Sequence, residues 1–206
     1  MKEQSLKPII ERLESLFSKF NEKFYEGKLQ RPVITVSPDT TKGAYGWCTG
    51  WKAWKTEETK DGEGYYEINI CAEYLSRPFE DVAGTLLHEM AHLYNLHIEA
   101  KDTSRGGFYH NVKFKAAAEA HGLTVEKTEK YGWSKTALND EAKAFLDSMQ
   151  DKKFEICRDS APKKIGGTKK QSSRKYVCPC CGAIIRATKA VHVVCGDCEV
   201  EFVEAV

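Results

Sequence analysis

Apolar residues at three- and four-residue steps predict two long amphipathic helices in the first half of the chain. The first covers residues 6–24, and the second begins near Pro78 to Asp81 and continues through the stretch TLLHEMAHLYN at residues 85–95. Side chains three or four positions apart lie on one face of a helix. Each helix is therefore predicted to pack one side against a hydrophobic core.

Shorter segments with the character of β-strands lie between these helices. PVITVSP is β-branched, GAYGWCTGW is aromatic and interrupted by glycine, and GYYEINICA alternates isoleucine with polar residues. Two more helices are predicted, from about His110 to His121 and within NDEAKAFLDSM, where Asn139 or Asp140 serves as the cap. This mixture indicates an α+β fold with a small antiparallel sheet.

Composition divides the chain into three parts. Residues 1–150 are predicted to form the main domain, and residues 176–206 a small cysteine-rich domain. Between them, residues 151–175 are predicted to be a basic, flexible linker, because SAPKKIGGTKKQSSRK is rich in Lys, Gly and Ser and nearly free of apolar side chains. From residue 160 to 176 there are six basic residues and no acidic ones, although the whole chain has a net charge of only +1.

The N-terminal segment MKEQSLKPIIERLESLF has no secretory pattern, because acidic residues interrupt its helix-spaced apolar positions. No apolar run approaches the ~18 residues needed to cross a bilayer. The sequence therefore predicts a soluble, cytoplasmic protein without a membrane partner.

The second helix carries an HExxH pattern, formed by His88, Glu89 and His92. Residues i and i+4 face the same way on a helix, so the two imidazoles can bind one metal ion. Glu89 lies one position round, within reach of a water molecule at that ion. The same stretch also fits an ordinary core helix, because three fixed letters in five occur by chance. A catalytic zinc needs a third protein ligand and an open position, so the decision depends on that ligand.

Three residues are candidates for the third ligand. His97 is one position short of Ile98, where one zinc-peptidase pattern has its third histidine, and that offset turns it about 100° away on a helix. Glu119, on the later helix, has no local support. His110 follows a glycine pair that permits a sharp turn and precedes a helix, so the chain can fold back and direct its imidazole at the metal. We predict His110.

Five of the eight cysteines lie in the last 29 residues. Cys178 and Cys181 form one C-x-x-C pair, and Cys195 and Cys198 form the other. Two such pairs flanking short strands can supply four thiolates to one structural zinc ion, whereas a redox-active C-x-x-C motif requires a different fold context. Cys180 could replace Cys181, but the C-x-x-C-G spacing favours Cys181. The segment is predicted to be a zinc ribbon.

Several segments, in order, resemble the SprT-like (Spartan/SprT) family of zinc metalloproteases. They are FNEKFYEGKLQRPVITVSP, GAYGW, YEINICAEYLSRP, TLLHEMAHLYN, SRGGFYHNVKF and the terminal cysteine ribbon. The resemblance covers about residues 10–125 and 176–206. It implies a compact zincin-like domain in which His88, His92 and His110 bind a catalytic zinc ion and Glu89 is the general base. It also implies that the strand before the catalytic helix pairs with an extended substrate.

The resulting hypothesis is a zinc metalloendopeptidase with one catalytic and one structural Zn²⁺. Its protein substrates are expected to be DNA-associated proteins or DNA–protein crosslinks, because the family acts there. The basic linker and the ribbon are expected to bind DNA without sequence preference, through neutralisation of phosphates. The alternative is a DNA- or protein-binding module whose metal site is structural or weakly active, although such a site would not require Glu89. A third hypothesis is a peptidase that acts on a specific partner without DNA.

Overall fold

The computed structural model describes residues 5–39, 43–59, 63–149, 154, 156–159 and 173–205. The chain forms two compact units, Met1–Ser160 and Ala161–Val206. Most of the predicted linker, including residues 160–172, lies outside the described ranges. None of the helices in those ranges is both long and apolar enough to cross a membrane.

Two long helices form the centre of the first unit, α1 (Lys7–Tyr25) and α2 (Phe79–His97). Pro8 lies in the first turn of α1, where its missing N–H costs nothing, and Glu26 ends the helix with a φ of 56°. The apolar face of α1 is fully buried, and each such side chain contributes about 1.5–3 kcal/mol. The buried residues of α1 are Ile9, Leu13, Leu16, Phe17, Phe20 and Tyr25.

A three-stranded sheet packs against these helices. Its strands are β1 (Val33–Ser37), β2 (Gly46–Cys48) and β3 (Glu67–Cys71), in the order β1-β3-β2. The expectation of an antiparallel sheet is wrong in part, because β1 and β3 run parallel while β2 and β3 run antiparallel. The reason is that β3 lies between the other two strands. The chain passes from β1 to β2 at the far edge of the sheet and then returns in β3, which runs beside β1 in the same direction. Within the described part of the chain β2 pairs only with β3. Strand β3, the last strand before α2 along the chain, is paired on both edges, so the expectation that the strand before this helix pairs with an extended substrate is wrong.

The second half of the unit builds four strands and two helices, which are β4 (Thr103–Ser104), β5 (Tyr109–His110), α3 (Val112–Ala120), β6 (Leu123–Thr128), β7 (Gly132–Leu138) and α4 (Asp140–Asp147). The strands form one sheet in the order β4-β5-β7-β6. Its longest pair is the antiparallel hairpin of β6 and β7, which the sequence pattern did not predict. Asn139 caps the last helix, as predicted, by accepting a hydrogen bond from the N–H of Ala142.

A short segment after α4 returns to the body of the first unit. Phe154 is 5% exposed and lies 5.6 Å from the Phe79 ring, centroid to centroid. The Arg12 guanidinium lies over both rings, at 4.3 Å and 4.6 Å. Further on, the N–H of Arg158 donates to the carbonyl of Ala72. These contacts attach Phe154 to the start of α2 and Arg158 to the residue that follows β3.

The second unit has three short antiparallel strands, β8 (Arg174–Val177), β9 (Ile184–Ala187) and β10 (Val203–Ala205), in the order β10-β8-β9. Two tight turns carry the cysteine pairs. In the first, the Gly182 N–H donates to the Cys178 carbonyl, and in the second the Glu199 N–H donates to the Cys195 carbonyl. The repeated turn geometry gives both pairs the same local arrangement.

Candidate functional site

Helix α2 carries apolar side chains on one face and two histidines on another. Leu86, Leu87 and Met90 are fully buried in the core. His88 and His92 lie on another face, with their ring centroids 5.2 Å apart. The i, i+4 spacing therefore brings the two imidazoles together, while the apolar residues hold the helix against α1 and the first sheet.

His110 reaches this pair from a different part of the chain. It ends β5, after a turn in which Arg105, Gly106 and Gly107 all have positive φ. Its Nε2 atom lies 3.2 Å from Nε2 of His88 and 3.1 Å from Nε2 of His92. The three ring nitrogens thus converge on one point, and the three histidines form a group that could hold a metal ion.

The donor set fits a zinc ion. Tetrahedral ligands at the usual zinc–nitrogen distance lie about 3.3–3.4 Å from each other, close to the observed separations. Burial, then repulsion from His92 and His110, lowers the pKa of His88 well below its ordinary value. Burial also lowers the pKa of His110 to about 4. At neutral pH both imidazoles are uncharged, so their lone pairs are available to a cation.

Two outer hydrogen bonds orient the histidines. His92 Nδ1 lies 2.7 Å from Asp102 Oδ2, and His88 Nδ1 lies 2.9 Å from Thr136 Oγ1. Asn95 donates from its amide to the same Asp102 oxygen, at 3.2 Å. If each Nδ1 carries the proton and donates it outward, each Nε2 presents its lone pair inward. Sequence analysis did not identify Asp102, Asn95 or Thr136 as parts of the site.

The ring of Phe114 contacts all three imidazoles. The Phe114 centroid lies 4.6 Å from His88, 4.5 Å from His92 and 4.6 Å from His110. Phe114 is fully buried in the first turn of α3. Asn111 caps that helix by accepting hydrogen bonds from the N–H groups of Lys113 and Phe114. The asparagine after the third histidine therefore fixes the helix that carries this support.

Glu89 lies beside the group and is 5% exposed. Burial raises the pKa of its carboxyl to about 7; the charge of Asp102 also raises this pKa, while His92 and the backbone N–H of Cys48 lower it. A carboxyl with such a pKa can both accept and release a proton near neutral pH. The Cys48 contact also links Glu89 to the edge strand β2.

Gly46 brings β2 close to the face of α2 that carries Glu89. A Cβ atom at this position would lie 2.7 Å from the Asn69 carbonyl oxygen, 3.1 Å from Thr85 Cγ2 and 3.4 Å from Glu89 Cγ. Only glycine permits this approach of strand and helix. The strand edge therefore runs directly past the Glu89 side chain.

The other candidates for a third ligand lie elsewhere. His97 is the last residue of α2 and lines a separate cavity of about 250 Å³ with Tyr25 and His121. Glu119 forms an ion pair with Lys115, at 3.6 Å. In the described ranges, neither belongs to a cluster able to hold a metal ion.

The second unit brings together Cys178, Cys181, Cys195 and Cys198, whose sulfur atoms all lie within 4.8 Å of one another. The backbone N–H of Cys181 is the main cause that lowers the pKa of the Cys178 thiol to about 7, which favours the thiolate that zinc binds. Cys180 is exposed and is not part of this group. The four sulfurs are compatible with one tetrahedral zinc ion.

Comparison with models of known protein families gives a match for this chain. The model of the SprT-like family aligns with residues 13–131, which include most of α1, the first sheet, α2 and all three histidines. No curated protein and no solved structure matches the chain. Since the family match covers more than half of the sequence, the chain belongs to the SprT-like family.

Proposed function

We propose that this protein is a zinc-dependent metalloendopeptidase with a zincin-like catalytic unit. The observation that carries the proposal is the convergence of three Nε2 atoms beside a buried carboxyl group. His88, His92 and His110 would hold the ion, and the four cysteines of the second unit would hold a structural zinc ion. When bound, zinc polarises a carbonyl and makes water acidic enough to ionise near pH 7.

The residues of the chain supply the proton transfer. A Glu89 carboxylate oxygen accepts a proton from the attacking water and then delivers it to the amine that leaves. Its raised pKa suits both steps, because the carboxyl is partly ionised near neutral pH. The N–H of Cys48 orients the carboxylate from the β2 side.

Strand β2 is the proposed binding edge for the substrate backbone. Its partner in the described ranges is β3 alone. On the other edge of β2 the Cys48 N–H bonds to Glu89, and the remaining main-chain groups of that edge are the ones proposed to bind the substrate. Recognition through the backbone demands little of the substrate side chains. This supports a protease with broad sequence tolerance.

A metal count combined with two matched glutamate variants tests the proposal. We expect about two zinc ions per full-length chain and cleavage of casein. Glu89→Gln should retain both ions and lose nearly all hydrolysis, because only the proton acceptor is removed. Glu119→Gln, the same change on an exposed residue, should retain ions and activity. Full activity in Glu89→Gln would contradict the proposal, as would a single zinc ion that disappears in the double variant Cys178→Ser, Cys181→Ser.

The proposed substrates are proteins bound or crosslinked to DNA. The support is the six basic residues without an acidic one between residues 160 and 176, next to the ribbon. Binding through phosphates weakens steeply as salt rises. We therefore expect single-stranded DNA to bind the full chain in low salt and to stimulate its cleavage of casein. A variant with Lys163, Lys164, Lys169 and Lys170 changed to Gln should lose both effects and keep its activity without DNA. Activity indifferent to DNA and to salt in the unaltered chain would contradict this proposal and leave the metallopeptidase proposal intact.

A further inference from the structure

The hairpin formed by β6 and β7 contacts the three-histidine group at two separate points. One is the bond between Thr136 Oγ1 and His88 Nδ1, at 2.9 Å, and the other is the bond from the His110 N–H to the Tyr131 carbonyl, also 2.9 Å. Strand β6 and Tyr131 lie within the region that the SprT-like family model matches, whereas β7, with Thr136, lies beyond it. The contact from Thr136 therefore adds to the site something that the family match does not cover.

Thr136 is presented by a regular strand. It pairs with Val125 across the hairpin, and the pair Leu123–Leu138 beside it is almost completely buried, at 2% and 3% exposure. Lys135 and Ala137 are exposed, whereas Thr136 and Leu138 lie on the side facing α2. Leu138 also packs near Gly84 of α2. The hydroxyl is thus held at a defined distance from the helix that carries His88.

The contact constrains His88 in two ways. A neutral imidazole carries one proton, on either Nδ1 or Nε2. A hydroxyl oxygen that accepts from Nδ1–H favours the tautomer whose Nε2 lone pair is free, and it also limits rotation of the ring. His92 receives the same support from Asp102, at 2.7 Å. His110 Nδ1 is buried and lacks a hydrogen-bond partner among the described residues.

The backbone of the hairpin holds His110 instead. His110 pairs in parallel with Gly132, which has a φ of +70°. A Cβ atom on Gly132 would lie 2.2 Å from the His110 carbonyl oxygen and 2.8 Å from the Tyr109 ring. Close approach of β7 to β5 therefore requires glycine here, and it fixes the backbone from which the third imidazole projects.

We propose that the β6–β7 hairpin is an integral part of the metal centre and that Thr136 is a positioning residue, whose hydroxyl selects the metal-binding tautomer of His88. The inference rests on the proposed function, because it assumes that the three histidines bind zinc. It extends that function by making metal affinity depend on a side chain outside the matched region. The effect acts through His88, so it should appear in metal binding itself and not only in catalysis.

Three variants of the full-length chain test this role. Thr136→Val retains the shape and removes the acceptor, Thr136→Ser retains the hydroxyl, and Thr124→Val makes the same change on an exposed residue of the same hairpin. Zinc affinity is measured by competition with a chelator. Cobalt replaces zinc for absorption spectra, in which a three-histidine site and a four-cysteine site are distinguishable. Thermal unfolding of the metal-free proteins reports any purely structural effect.

We expect Thr136→Val to weaken metal binding at the histidine site by about 10–100-fold and to alter its cobalt spectrum. Thr136→Ser and Thr124→Val should remain within about threefold of the unaltered chain, and all metal-free proteins should unfold at similar temperatures. Unchanged affinity in Thr136→Val would overturn the inference, as would equal losses in Thr136→Val and Thr124→Val. Failure of the proposed function looks different, because the unaltered chain would then show only the four-cysteine cobalt spectrum.

Discussion

His92 Nδ1 lies 2.7 Å from Asp102 Oδ2, and both side chains are mostly buried, at 15% and 13% exposure. The carboxylate also accepts a hydrogen bond from Asn95, one helical turn after His92. A histidine held by a carboxylate in this way is a stronger and better-oriented metal ligand. Asp102 therefore acts on the candidate metal centre through His92 and does not itself approach the converging Nε2 atoms.

The first prediction concerns this carboxylate. Asp102→Asn should lower zinc affinity at the histidine site by about 10–100-fold, because an amide oxygen is a weaker acceptor for the Nδ1–H of His92. Competition with a chelator measures the change. Asp147→Asn, the same substitution on an exposed position of α4, is the control and should bind zinc normally. Equal affinities for the two variants would contradict a role for Asp102.

The second prediction compares two glycines with the same backbone conformation. Gly132 and Gly106 both have a φ of +70°, but a Cβ atom at Gly106 would have no neighbour within 4 Å. Gly106→Ala should therefore cost only the conformational penalty, about 1–2 kcal/mol. Gly132→Ala adds a collision with the His110 carbonyl oxygen. It should destabilise the protein at least twice as much and lower its zinc content.

Urea unfolding and metal analysis of both alanine variants provide the measurement. The comparison isolates the close approach of β5 and β7, since the backbone cost is common to both positions. Equal stability and equal zinc content in the two variants would show that the approach is not required.

The third prediction concerns the segment after α4. Phe154 is buried against Phe79 and below the Arg12 guanidinium. Phe154→Ala should lower the free energy of unfolding by about 3 kcal/mol, the usual loss for a buried phenylalanine. Phe108→Ala is the control, because that ring is 67% exposed, and it should change stability by less than about 0.5 kcal/mol. A chain that ends at residue 150 should lose as much stability as Phe154→Ala, as measured by urea unfolding.

The fourth prediction is a pH dependence centred on His121. Its ring stacks on Tyr25, 4.2 Å away and nearly parallel, and its Nδ1 donates to the Ala117 carbonyl. Burial lowers the pKa of His121, although the Ala117 bond and the Glu26 charge oppose that shift. The unfolded chain, with a histidine pKa of about 6.5, therefore binds this proton more readily than the folded protein.

The sign of the effect follows from this difference. The His121 contribution to stability is complete above about pH 6.5 and falls as the pH drops from there towards the folded-state pKa. An NMR titration of the His121 ring should give a midpoint below 6.5, and His121→Gln should reduce the loss of stability between pH 7 and pH 5.5. A midpoint at or above 6.5 would refute the prediction.

Local spacing was sufficient to predict part of the candidate site. Helix geometry placed His88 and His92 on one face but did not by itself separate a metal site from an ordinary core helix. The glycine pair before His110 indicated the turn that returns it to α2, and so supplied a third candidate ligand. The structure brings the three histidines together, and the SprT-like family that the same segments suggested is confirmed. The four cysteines of the ribbon likewise lie close together. Their roles as zinc ligands remain predictions.

The supporting residues were not predictable in the same way. Asp102 and Thr136 act over 10 and 48 residues of separation, and no local pattern relates an acceptor to a distant imidazole. The β6–β7 hairpin did leave a signal, because Val125, Trp133 and Thr136 favour strands and Gly132 permits a turn. Charged residues between them obscured the alternation. The parallel pairing of β1 with β3 depends on the crossover and not on the composition of either strand.

The order of these segments along the chain has a consequence for biosynthesis. The helix that carries His88 and His92 is complete at residue 97, whereas the hairpin that supports the group ends at Leu138. A nascent chain emerges from its N-terminus, so it exposes the HExxH helix well before it can assemble the whole centre. The three-histidine group and the hairpin that contacts it are therefore both complete only after residue 138 has been synthesised, 41 residues after the end of α2.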